Sequence, residues 1–459
     1  MRAGLNLPII KIVMKVKFIP LTIIFFLLTS LCHSFDLPLN RIEDDSYLRA
    51  SLMDSWLRNN FVNVAGNAQE VYTLRGGTQV HVRMETSPRN LEEFAIVLAR
   101  GQSGNFSSWN QGSWSLIRRR DNNPQGSRIQ YFPRTDFNTY IQFRPFNNER
   151  SFMDVVVYDA FLIRSLPLPV PFERLLTMPM EEIFNLAGRG FPGHYFEPIP
   201  AMYRDSMDLI SALRPRLQEL VFMDDGAINE NGEFIFIESL LSQEGSGGVN
   251  CSGFAKWVVD GILRPFTGER LSIAPLKLPF GDRGSTYTDV WEDLRDPFFG
   301  LDWIRNLAST AGITILSPSF SNLDEIEVRS FPYSQLNTRL SNGGIRISNP
   351  EFIENAGFPV ESLLPLLYSL AINEPGHIYL AAVNNEIGLP TTQVNPRGIP
   401  RMRQYYHVAV IIPFFNERGT FQVAVFESAA ETSITAFISR YPGESVNLVR
   451  IPIDGRFDP

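Results

Sequence analysis

Prolines occupy every second position of Leu166-Pro167-Leu168-Pro169-Val170-Pro171, and no other stretch constrains the architecture of this chain so sharply. Each ring fixes φ and removes an N–H, so the run is held extended and is barred from the interior of a sheet. Two kinds of sequence meet there. Upstream, Val80, Val82 and Met84 alternate with Gln79, His81 and Arg83. Ile129 with Tyr131, Ile141 with Phe143, and the runs Phe94-Ala95-Ile96-Val97-Leu98, Val155-Val156-Val157-Tyr158 and Phe161-Leu162-Ile163 continue in that style. Gly76-Gly77, Asn122-Asn123-Pro124 and Asn147-Asn148 separate them as turns. Downstream the period lengthens to three and four, as in Met207, Ile210, Leu213, Leu217 and Leu220. The pattern predicts a β-sandwich-like domain over 35–165, a proline-rich linker over 166–175 and an α+β domain over 176–459.

With 459 residues the chain is long enough for two or three cores. Its 41 basic residues are outnumbered by 49 acidic ones and form no long run, which excludes the electrostatic footprint of a nucleic-acid binder. Residues 1–34 read as a secretory signal: Lys15 and Lys17, then an apolar stretch from Phe18 to Leu31, then Cys32-His33-Ser34. Met14 suits the start of such a signal better than Met1. The apolar stretch is shorter than the ~20 residues of a membrane-spanning helix, so membrane contact is expected only through this segment before cleavage. Cleavage would remove four basic and no acidic residues, taking the formal charge from −8 to −12. It would also remove Cys32 and leave Cys251 as the one cysteine of an exported protein. A thiol with no disulfide partner in an oxidising compartment is a liability unless it is buried or used.

Its setting favours use. Asn250 is a good N-cap, and Phe254, Trp257, Val258 and Ile262 follow at helical spacing, with Lys256 and Asp260 off that stripe. Cys251 is therefore expected in the first turn of a helix, where the dipole favours thiolate and its own N–H is free to hold a developing oxyanion. The plainer reading of such a residue is a small buried hydrophobe. Only His81, His194, His377 and His407 remain as partners. His81 lies in the predicted sandwich and His194 in a turn-like context. His377 and His407 each open an apolar run, and His407 is the candidate base. The strand after it turns at Asn416-Glu417-Arg418-Gly419 and returns through Val425-Phe426-Glu427-Ser428. A three-residue loop centred on Glu417 would set Glu427 opposite His407, and a one-residue shift would substitute Ser428. A carboxylate there would orient the imidazole; the alternative is a cross-strand pair with no such role.

Asn250-Cys251-Ser252-Gly253-Phe254 resembles the nucleophile motif of the NlpC-type, papain-fold cell-wall peptidases, with Asn in place of the family's Asp. Glu374-Pro375-Gly376-His377-Ile378 is similar to their Pro-Gly-Asp strand start, with His377 where Asp is usual. His407-Val408-Ala409-Val410 resembles the strand that carries their base, and Val425-Phe426-Glu427-Ser428 stands where the third polar residue falls. The resemblance covers roughly 235–440 and implies a papain-like α+β domain with a large insertion at about 264–359, to which Asp289-Val290-Trp291-Glu292-Asp293-Leu294 and Trp303-Ile304 give helices of its own. It implies a cysteine peptidase or amidase of the periplasm or cell envelope, acting on peptidoglycan or another envelope peptide through Cys251, His407 and Glu427. No organic cofactor and no metal are implied. Two other functions fit the same residues: an envelope binding protein on a degenerate scaffold, or a thiol acyltransferase or lipid-amide hydrolase. The acidic stretch from Asp224 to Gly232 lacks the ligand spacing of a calcium loop and reads as a turn. Trp109 and Trp114 read as loop and core residues, with a carbohydrate-stacking surface as the alternative.

Overall fold

The computed structural model describes residues 36–87, 90–101, 104–281, 296–339, 344–385 and 404–459. The signal segment 1–34 and the helix expected at 289–294 lie outside them. Where the sequence alternates, the chain is in strands: β1 (Glu70–Thr73), β2 (Gln79–Ser87), β3 (Asn90–Gly101), β4 (Trp114–Arg119), β5 (Arg128–Tyr131), β6 (Thr139–Pro145), β7 (Ser151–Val157) and β8 (Ala160–Leu168). Each pairs antiparallel with the next. The result is one continuous sheet rather than two stacked ones, because every connection is a hairpin and no crossover splits the strands into layers. Val80, Val82, Phe94, Ile96, Trp114, Ile129, Ile141, Phe143 and Met153 form its core with Leu48, Leu52 and Trp56 from the preceding helical segment. Helix α1 (Met180–Ala187) adds Met180 and Ile183. Trp114 thus belongs to the core, while Trp109 is exposed and packs edge-on against Phe137.

The proline run corrects one expectation. β8 continues through Leu166 and Pro167 to Leu168, where the sequence predicts a linker beginning at 166. On its far side β8 pairs only at Ala160 and Phe161, with β11 (Gln335–Arg339), so Pro167 stands on a free edge where a missing N–H costs nothing. β11 and its hairpin partner β12 (Ile345–Ser348) extend the sheet to ten strands. Both come from the stretch 264–359, which therefore contributes to the N-terminal sheet as well as to the surroundings of the cysteine. Contacts within Asp36–Pro459 form a single unit.

Beyond α2 (Arg204–Arg216), a short hairpin of β9 (Gly226–Ile228) and β10 (Phe234–Phe236) leads to α3 (Cys251–Thr267). The acidic stretch from Asp224 to Gly232, expected as a turn, runs through β9 at Gly226–Ile228, and only its end forms the hairpin turn, closed by Asn229 N–H to Glu233 O at 2.9 Å. α4 (Phe299–Ile315) follows α3 and packs on it. A second antiparallel sheet has the order β13 (Phe358–Pro359), β18 (Ser445–Pro452), β14 (His377–Asn385), β15 (Gln404–Phe415), β16 (Phe421–Glu427) and β17 (Ala430–Ser433). Its two faces alternate as strands must. Ile378, Leu380, Val408, Val410, Phe426 and Val449 pack with α3 and α4. Tyr379, Ala381, Ala409, Ile411, Val425 and Leu448 pack with α5 (Leu363–Asn373) and with Phe437 of α6 (Ile434–Arg440). The described chain is thus largely antiparallel sheet with a few helices. Among the described residues no helix is long and apolar enough to cross a membrane.

Candidate active site

Cys251 opens α3 as the sequence predicts. Asn250 is the N-cap, extended at φ −90° and ψ −170°, and its side-chain oxygen accepts from the Gly253 N–H at 2.8 Å. Asn250 N–H in turn donates to Gly226 O of β9 at 2.8 Å, which ties the start of the helix to the hairpin beside it. Gly253 is required by that approach: a Cβ there would lie 2.1 Å from Gly226 O. Trp303 of α4 donates its indole N–H to Ser252 O at 2.9 Å and braces the same turn from the other side. At the other end Gly268 closes α3 in the left-handed region at φ +77°. Lys256 and Asp260 are not on a solvated face. They are fully buried and paired at 2.6 Å, because α3 is covered all round, with every residue from Ser252 to Leu263 buried.

The end of β15 meets this turn. His407 follows an irregularity in the pairing with β14, where Val383 faces His407 but Asn384 faces Tyr405, leaving Tyr406 as the extra residue of a bulge. Bulges re-aim the side chains beside them. On one side the His407 ring lies beside the Cys251 thiol, close enough for each to stabilise the other's charged form. On the other, its Nε2 is 2.6 Å from Oε2 of Glu427, which leaves Nδ1 as the nitrogen for the sulfur.

Glu427 arrives by a register that differs from the expected one. Val410 faces Phe426 and Ile411 faces Val425, so the strict partner of Glu427 is two residues beyond His407. The cause is a wider turn: Asn416 N–H bonds to Thr420 O, and Phe415 faces Phe421. A slip of two preserves the face, and the longer glutamate side chain reaches the imidazole diagonally. Ser428 lies in the tight turn into β17, where it and Ala429 have φ of +46° and +68°. Two non-glycine residues held left-handed are costly, and such strain gathers at functional sites.

Two residues that the sequence did not disclose complete the arrangement. Arg440 Nη1 is 2.8 and 2.9 Å from the two carboxylate oxygens of Glu427. The Tyr441 hydroxyl is 3.4 Å from Oε2, and its ring lies 5.6 Å from that of His407. The only local signal was a basic residue in the last turn of α6, which reads as a complement to the helix dipole.

Charge follows from these contacts. Burial pushes the Cys251 thiol up, but the His407 hydrogen bond and charge, with help from the Val408 N–H and Ser252, outweigh it and hold the thiol below its usual 9.0. Burial also opposes the imidazolium, yet Cys251 and Glu427 together raise His407 to about 9. Burial disfavours the Glu427 carboxylate too, and His407 with Arg440 more than offset this and lower it. Each group is stabilised in its charged form by a neighbour of opposite sign, which describes a thiolate–imidazolium pair backed by a carboxylate. Such a pair can attack a carbonyl carbon. Cys251 is partly exposed, and among the described residues its N–H, at the first helical position, makes no hydrogen bond.

The other histidines stand apart. His377 starts β14 six residues before Val383, the partner of His407, and is about 20 Å away along the strand. His81 is in β2, and His194 is exposed in the turn Gly193–Phe196. Among the described residues no group of three or more His, Cys, Asp or Glu could hold a metal ion.

Residues 38–195 match a family described as a domain of unknown function (DUF8515). That stretch contains β1 to β8 and α1, and none of Cys251, His407 or Glu427. No curated protein and no solved structure matches the chain.

Proposed function

We propose that the chain is an exported cysteine hydrolase of papain-like, NlpC-type descent that cleaves amide bonds. The observation that carries this reading is the proximity of the Cys251 thiol of α3 to the His407 ring of β15, whose Nε2 is 2.6 Å from the Glu427 carboxylate of β16. The Cys251 thiolate attacks the carbonyl carbon, its proton already held on Nδ1 of His407. The C–N bond then breaks, and the amine leaves with that proton. Water attacks the resulting thioester, giving a proton to His407, and the acid is released as the thiol is restored. Glu427 holds the ring in position and stabilises the imidazolium between these transfers. The substrate class best matched by the motif resemblance is the stem peptide of peptidoglycan. Muropeptides incubated with the protein are expected to give newly cleaved fragments in mass spectrometry. A digest unchanged by active-site-titrated protein would overturn that substrate.

A second reading, hydrolysis or transfer of an apolar acyl group, is favoured by one feature. Val221 and Phe222 are 56% and 60% exposed and pair with the strand-like residues just before Cys251. Leu240 and Leu241 are exposed on the turn beside β10, with Leu240 left-handed at φ +61°. These exposed apolar side chains lie on the segments flanking the loop that delivers the nucleophile, and exposed apolar side chains suit an acyl chain better than a charged stem peptide. Product analysis separates the two: free amine and a shortened peptide for the first, a released long-chain acid or an N-acylated acceptor for the second.

A further inference from the structure

Glu427 is an unusual partner for a catalytic imidazole because it is both long and fully charged. A flexible carboxylate holds the ring loosely, and an unneutralised one binds the imidazolium so firmly that its proton is given up reluctantly. Both difficulties are met at one point in this fold. β16 ends at Glu427, the two-residue turn Ser428-Ala429 reverses the chain into β17, and α6 starts directly from β17 with Ser433 as its N-cap. Ser433 Oγ accepts from the Ala436 N–H at 3.1 Å. Thirteen residues after Glu427, the last residue of that helix returns its guanidinium to the same carboxylate, where a single nitrogen bridges both oxygens.

We propose that Arg440 is a positioning residue of this site: it fixes the Glu427 carboxylate toward Nε2 of His407 and draws off part of its charge, so that the imidazolium remains able to release a proton. The proposal rests on the reading of Cys251 and His407 as a reactive pair. The charged and titratable groups that face Glu427 are few. His407 comes from β15, and Arg440 and Tyr441 come from the end of α6. The Arg440 guanidinium also lies 5.7 Å from the Tyr441 ring, which holds it over the site. Glu431 of β17 is taken up by Arg214 at 2.8 Å, and Glu444 by the Tyr406 hydroxyl.

The sign of the effect of removing Arg440 is determined. A positive charge lost near the pair makes the Cys251 thiolate harder to form and the His407 imidazolium harder to discharge, so both inflections move to higher pH. The test is the rate of alkylation of Cys251 by iodoacetamide against pH, in the wild type, R440Q and R440K. Arg440 is 49% exposed, and the shift is expected to be about half to one pH unit in R440Q, lowering the rate about 3- to 10-fold at pH values below the lower inflection. R440K keeps the charge and loses the bridge, and its inflections are expected between those of the wild type and R440Q. A merely structural arginine would lower the melting temperature and leave both profiles in place; wild-type inflections in both variants overturn the proposal. A wild-type profile with no inflection below that of an ordinary thiol would instead refute the reading of the pair itself, so the two failures are distinct.

Discussion

Replacing Cys251 with alanine is expected to abolish amide hydrolysis, a loss of at least about 10⁴-fold, while the melting temperature stays within a few degrees of the wild type. The size of the loss follows from the chemistry: no other thiol exists among the described residues, and the N–H at the start of α3 can only stabilise charge that a nucleophile has created. The smallness of the stability change follows from the position, since Cys251 is partly exposed and its helix is held by Asn250, Gly253 and Trp303 rather than by sulfur. H407A is expected to cost nearly as much, and the double variant no more than either single one, because the two residues act as one unit. Kinetics on the three proteins with a common substrate, alongside thermal melts, check all three statements. Additive losses would indicate that the residues do not cooperate.

The second large effect concerns stability. Asp260→Ala is expected to cost about 3–5 kcal/mol, because it leaves the Lys256 ammonium buried without its partner. Both side chains are inaccessible, and burial drives each toward its neutral form, with the lysine pushed down and the aspartate up. Asp260 also accepts the Leu271 N–H at 2.8 Å, so alanine also leaves that half-buried donor without this acceptor. The compensated pair K256M/D260N keeps an acceptor for Leu271 and removes both charges, and is expected to lie within about 1–2 kcal/mol of the wild type. Urea unfolding of the single and double variants measures the difference. A single variant as stable as the double would show that the ammonium finds other partners or water.

That ion pair also shows where sequence reading stops. Lys256 and Asp260 are four apart on a helix, which from sequence alone looks like a solvated face; only the placement of α4 and the second sheet against α3 buries them. The same limit applies to Arg440 and Tyr441. Their contact with Glu427 depends on how α6 folds back after β17, and no spacing rule links positions 427 and 440. The extension of the sheet by β11 was equally hidden, since its pairing with β8 joins residues more than 170 positions apart. By contrast the N-cap before Cys251, the scarcity of histidines and the hairpin that returns Glu427 toward His407 are local features, and local features are what a sequence displays. The hairpin count erred by two and Glu427 still meets His407, because an even slip keeps a side chain on its face.

The pH behaviour has a defined sign. Thiolate accumulates as pH rises through the lowered Cys251 value, and the imidazolium that must protonate the leaving amine is lost as pH rises past about 9. Activity is expected to be bell-shaped between these limits, and the two inflections belong to the pair rather than to either residue.

The alkylation rate of Cys251 as a function of pH, in the wild type and in H407A, bears most directly on whether a thiolate–imidazolium pair exists. The wild type should react on a plateau that begins below pH 9 and shows a second step near 9, and H407A should retain a single inflection at the value of an ordinary thiol. A wild-type thiol that is inert, or that titrates once at or above 9 whether or not His407 is present, would contradict the account.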